Sequence, residues 1–126
     1  MLLATYNLEE DNFPSICKVG TGFTDESLDQ LYQMLSNKVT LKKNSRIVSD
    51  MEPDVCFEPG LVLEIVASEI TLSPIHKTGF GMIRDGSGFA LRFPKFTGKI
   101  RYEKAIEDAS TGEEVLALYN RQAKTN

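Results

Sequence analysis

Residues Leu61 to Leu72, Leu-Val-Leu-Glu-Ile-Val-Ala-Ser-Glu-Ile-Thr-Leu, constrain the fold more than any other stretch. The run is rich in β-branched residues, which suit a pleated, half-buried surface and lose χ1 freedom in a helix. It is also long for one straight strand, so a bend or bulge is expected near Ala67-Ser68. A strand bent in this way is what a small closed or nearly closed sheet requires.

The flanking segments fit the same plan. Leu2 to Asn7 reads as a strand ending in the polar turn Glu9-Glu10-Asp11-Asn12, and Phe13 to Val19 as its antiparallel partner. In that second strand Phe13, Ser15, Cys17 and Val19 share one face, with Ile16 opposite. Pro14 sits near its start, where a missing N–H is tolerated. After Gly20-Thr21-Gly22 a helix is expected, with Thr24 as N-cap and Asp25 and Glu26 at its positive end. Leu28, Leu31, Tyr32 and Leu35 recur at helical spacing and are expected in the core. Lys38 to Asp54 has no clear period and reads as a surface loop.

Downstream, Ser73-Pro74 closes the long strand and Lys77 to Gly88 reads as a glycine-rich connection. Phe89 to Pro94 is another strand, with Phe96 to Arg101 continuing it. Thr111-Gly112-Glu113-Glu114 fits the capping box of a C-terminal helix. There Val115, Leu118 and Tyr119 share a face, and Arg121 and Lys124 suit the last turn. The expected fold class is mainly β: a small antiparallel barrel with one inserted helix and a C-terminal helix, residues 1–126 forming a single domain.

Charge separates this chain from a uniformly nucleic-acid-coating protein. The formal net charge is −4, yet nine of the 14 Lys and Arg residues fall in two windows. One holds Lys38, Lys42, Lys43 and Arg46; the other, Leu91 to Lys104, holds Arg92, Lys95, Lys99, Arg101 and Lys104 with a single acid, Glu103. Basic residues interleaved with Phe93, Phe96 and Tyr102 on an acidic body suggest a phosphate-bearing partner. Read without further help, Phe93 and Phe96 are core residues, and the Lys38 to Arg46 cluster is a solvated loop.

Other chemistry finds little support. Cys17 and Cys56 lack metal-ligand spacing and read as buried thiols. His76, the single histidine, reads as structural, so no metal ligands are assigned. Nothing marks a nucleophile elbow. No apolar run approaches the ~20 residues of a membrane span. The start lacks the basic region of a signal peptide, so an intracellular, cytoplasmic protein is expected.

The segment Arg92-Phe93-Pro94-Lys95-Phe96-Thr97-Gly98-Lys99-Ile100-Arg101-Tyr102-Glu103-Lys104 resembles the last signature motif of ATP-dependent DNA ligases, the archaeal type in particular. Ile16 to Phe23, Glu69 to His76 and Glu107 to Thr111 resemble that family at compatible spacing. The resemblance implies the C-terminal oligonucleotide-binding (OB) barrel of a ligase. It implies a part in lysine adenylation by ATP, with Mg²⁺, and in gripping nicked double-stranded DNA during strand joining in replication, repair and recombination. By resemblance Arg101 and Lys104 assist the adenylation step, and Glu103 stands where the family has Asp. Arg92, Lys95, Lys99 and Lys18 are expected on the DNA backbone.

The nucleophile signature Lys-x-Asp-Gly is absent from this sequence, so the adenylation domain is an expected partner and the chain alone is expected to be inactive. The family's first barrel strand and its glycine-rich turn are also absent ahead of Leu2. A fragment or one part of a split enzyme is therefore expected, with an open barrel edge that invites a strand-paired homodimer. The alternative is a free-standing single-stranded nucleic-acid-binding OB module, which needs exposed rings for stacking and no partner.

Overall fold

In a computed structural model, residues 1–40, 43–51, 55–57 and 59–123 are described. The fold is mainly β, antiparallel and of small OB type, with two helices; the paired strands do not close into one continuous barrel. Strands β1 (Leu2–Ala4) and β2 (Phe13–Lys18) form the expected antiparallel hairpin, with a bulge between Leu3 and Ala4. β2 is covered on both faces. Ile16, on the face opposite Phe13 and Cys17, is buried as they are.

Helix α1 (Asp25–Leu35) begins at Thr24, whose side chain accepts the Ser27 N–H while the Ser27 hydroxyl accepts the Thr24 N–H. Its buried face differs from expectation. Leu31 is buried and Met34 packs beside it, whereas Leu28 and Tyr32 are exposed. Spacings of three and four residues allow two adjacent stripes through Leu31, and packing selected the one containing Met34.

The expected loop contains short strands: β3 (Val39–Thr40) pairs with β5 (Cys56–Phe57), and β4 (Ile47–Val48) runs parallel to β2. The long apolar run divides at Ala67-Ser68 into β6 (Leu63–Val66) and β7 (Glu69–Ser73). These pair with different partners. β7 joins β8 (Gly88–Arg92), and β6 joins β9 (Lys95–Ile100). The bend thus passes the chain from one hairpin to the other. Helix α2 (Gly112–Ala123) is started by the Thr111 hydroxyl, which accepts the Glu114 N–H at 3.2 Å. Lys124 lies outside the described residues.

Two apolar clusters hold these pieces. Ile16, Cys17, Ile70, Phe89 and Val115 join β2, the β7–β8 hairpin and α2; Leu31, Phe96 and Ile100 join α1 to β9. The glycine-rich connection is pinned by Thr78. Its buried hydroxyl lies within hydrogen-bond distance of the Thr5 hydroxyl and of the Pro14 and Ser15 carbonyls. Buried hydroxyls are stable only when partnered in this way.

Candidate nucleic-acid interface

The basic segment folds as the second half of β8, a tight turn, and β9. Arg92 and Glu69 are cross-strand partners in the β7–β8 ladder, and their side chains pair at 3.0 Å. The Arg92 guanidinium also lies 5.1 Å from the centre of the Phe93 ring. Phe93 occupies the turn with φ 52° and is 72% exposed, so its assignment to the core is corrected. A left-handed backbone at a bulky residue is strained and aims its side chain away from the sheet. Phe96 is buried as expected, stacked 5.0 Å from Phe23.

Along β9, Phe96 and Ile100 point inward while Lys95, Thr97 and Lys99 are exposed. The ladder with β6 shifts from Ile65↔Phe96 to Leu63↔Ile100, leaving Thr97, Gly98 and Lys99 opposite Glu64 alone. Gly98, at φ 95°, absorbs the extra length. Because the bulge adds two residues, the alternation is kept, and Lys99 shares the outer face with Lys95 and Thr97.

Lys18 ends β2 and is exposed, and the turn after it reaches β9: the Phe96 N–H donates to the Thr21 carbonyl at 2.9 Å. Gly22 approaches so closely that a Cβ there would stand 2.7 Å from Cγ of Lys95. The chain turn of Lys18 and the strand of Lys95 are therefore neighbours. Among the described residues no carboxylate lies within ion-pair distance of Lys18, Lys95, Lys99 or Lys104. The Lys104 ammonium reaches the Asp108 carbonyl at 3.4 Å.

Arg101 is different. It is only 30% exposed; its Nε donates to Glu103 Oε1, and its Nη1 lies 3.8 Å from Glu64 Oε2. The Arg101 hydrogen bond is the main reason the Glu103 carboxyl is held below its usual range. Glu64 was not singled out by the sequence reading, although an acid inside the most apolar run was its signal. Tyr102 is exposed, and its hydroxyl accepts from the Gln30 amide at 2.5 Å.

In the second basic window Arg46 and Lys43 are engaged by groups of this chain. Arg46 pairs with Asp11 at 2.7 Å and lies over the Phe13 ring, and Lys43 donates to the Ser49 carbonyl at 2.7 Å. Lys42 is outside the described residues. Arg46 thus binds the β1–β2 turn. The Cys17 thiol is buried and pushed up to about 11 by desolvation, which makes it inert at neutral pH. His76 lies 3.2 Å from the Ser15 hydroxyl, and burial, helped by the charge of Lys18, holds it below its usual range.

Among the described residues no group of three or more His, Cys, Asp or Glu side chains is gathered where it could hold a metal ion. Among them too, no helix is long and apolar enough to cross a membrane. What the arrangement can do is bind phosphate oxygens: unpaired lysines along β9 and the neighbouring turn, and one oriented arginine at the strand's end.

A family model described as ATP dependent DNA ligase C terminal region matches residues 1–104. A DNA ligase of Nitrosopumilus maritimus (strain SCM1) is 69% identical over 124 residues, 98% of this chain. One of Cenarchaeum symbiosum (strain A) is 68% identical over the same share. A more distant DNA ligase, from Thermoplasma volcanium, is 46% identical over 99% of the chain. In each case the match spans 21% of the relative's length, so this chain corresponds to about a fifth of those proteins.

Proposed function

The chain belongs to the family of the C-terminal region of ATP-dependent DNA ligases, and from that premise we propose that it supplies phosphate-binding cations at two stages of strand joining. During lysine adenylation, Arg101 and Lys104 face the ATP phosphates across the junction with the adenylation domain. There they stabilise the charge that gathers on departing pyrophosphate. Glu103 orients Arg101 through the bond at Nε. During the later steps Arg92, Lys95, Lys99 and Lys18 grip the backbone of nicked duplex DNA. Such contacts are electrostatic and indifferent to sequence, as a nick sealer requires.

The observation that carries this reading is the outer face of β9. Lys95 and Lys99 stand there without carboxylate partners among the described residues, beside Lys18, on a chain of net charge −4. Unpaired cations on an acidic protein are expected where an anionic partner docks. Mg²⁺ and ATP would be bound in the full-length enzyme. Nothing in the relatives' descriptions supports the strand-paired homodimer.

A second reading, single-strand binding, is favoured by the exposed rings of Phe93 and Tyr102. Anisotropy titrations against nicked duplex and single strands at several salt concentrations separate the two. The ligase reading expects preference for nicked duplex, and a salt slope that falls by about 0.9 for each of Lys18→Ala, Lys95→Ala and Lys99→Ala. Tighter binding to single strands, with slopes unmoved by these changes, contradicts it.

A further inference from the structure

We propose that Glu64 is a positioning residue for Arg101, acting with Thr97 through the bulge of β9. The inference rests on the reading that Arg101 meets phosphate charge during adenylation. The Arg101 main chain is fixed just ahead of β6, since its N–H donates to the Val62 carbonyl at 2.8 Å. Two residues further along, in β6, Glu64 is the single residue opposite the bulge. Its two oxygens divide their work. Oε1 accepts from the Thr97 hydroxyl at 3.2 Å, and Oε2 lies 3.8 Å from Arg101 Nη1. The Thr97 hydroxyl in turn accepts the Lys99 N–H at 3.3 Å, so the hydroxyl that holds Glu64 also closes the bulge.

The guanidinium is thereby approached on two of its nitrogens, Nε by Glu103 and Nη1 by Glu64. Nη2 has no partner among the described residues. A guanidinium carries five N–H groups in a rigid plane, so steering two corners fixes where the third points. Glu64 and Arg101 are both partly exposed, at 40% and 30%, and a screened pair at this distance adds little to stability. Its consequence is geometric: it removes rotamer freedom from a side chain that must meet a phosphate oxygen at a set position.

The test is steady-state and single-turnover self-adenylation by the full-length enzyme with ATP, for Glu64→Gln, Arg101→Ala and the double variant. Melting temperatures are recorded alongside. Glu64→Gln is expected to lower the adenylation rate about tenfold, with KM for ATP within about twofold and the melting temperature unchanged. In the Arg101→Ala background it should add less than about twofold, because the residue it positions is gone. Thr97→Val is expected to act in the same direction more weakly, and it reports if Glu64→Gln fails to fold. Normal adenylation by Arg101→Ala overturns the functional reading and the inference with it. An impaired Arg101→Ala beside an unimpaired Glu64→Gln and Thr97→Val, or losses that multiply in the double variant, overturn the positioning role alone.

Discussion

Gly22 lies against the backbone of Phe96: a Cβ at position 22 would stand 2.1 Å from the Phe96 carbonyl oxygen. Gly22 also has φ 93°, a conformation that strains any residue with a side chain. This contact seats the turn after Lys18 on the strand that carries Lys95.

Gly22→Ala should therefore destabilise the protein by clearly more than Gly98→Ala. Gly98 has a similar φ of 95° but open space around it, so alanine there meets only the backbone strain of about 1–2 kcal/mol. Urea denaturation of both variants checks the order, and equal losses would show that the Gly22–Phe96 contact is not tight.

The two phenylalanines of the β8–β9 segment should separate in the same assay. Phe96→Ala empties a fully buried site and is expected to cost about 3–5 kcal/mol. Phe93→Ala removes an exposed ring and should stay within about 0.5 kcal/mol of the parent.

The histidine gives a pH signature. His76 has its pKa lowered in the folded state by burial and by the charge of Lys18. Below the ordinary value of 6.5 the unfolded chain takes up a proton that the folded chain resists, so stability falls as pH drops from about 6.5 toward the folded pKa. Above 6.5 the group contributes no slope. Denaturation midpoints between pH 7.5 and 5 should fall more steeply for the parent than for His76→Gln. Parallel curves would contradict the burial of a neutral imidazole.

Much of this architecture is legible in the sequence. The β-branched run and its small-residue break marked strand and bend, because propensity and bending are local properties, whereas its division at Ala67-Ser68 into two strands with different partners is set by long-range pairing. Thr24 and Thr111 marked both helix starts for the same reason. What local pattern could not decide was which of two stripes of α1 would face β9, leaving Leu28 and Tyr32 outside. Phe93 was misassigned because a positive φ at a phenylalanine has no sequence signature. The two basic windows looked alike in composition. Asp11 and the Ser49 carbonyl engage Arg46 and Lys43, whereas among the described residues no carboxylate lies within ion-pair distance of Lys95 or Lys99. Glu64 became visible only when the β6–β9 register set it opposite the bulge.

On this reading the paired arginine at the end of β9 and the lysines along it, which lack carboxylate partners among the described residues, serve different steps. The most direct measurement compares self-adenylation with the sealing of a pre-adenylated nick, in the full-length enzyme, for Arg101→Ala and for Lys95→Ala/Lys99→Ala. Arg101→Ala should slow adenylation by at least about a hundredfold and sealing far less. The lysine pair should weaken nicked-DNA binding and sealing while adenylation stays within about twofold. Equal losses in both steps for both variants would contradict the division of labour along this strand.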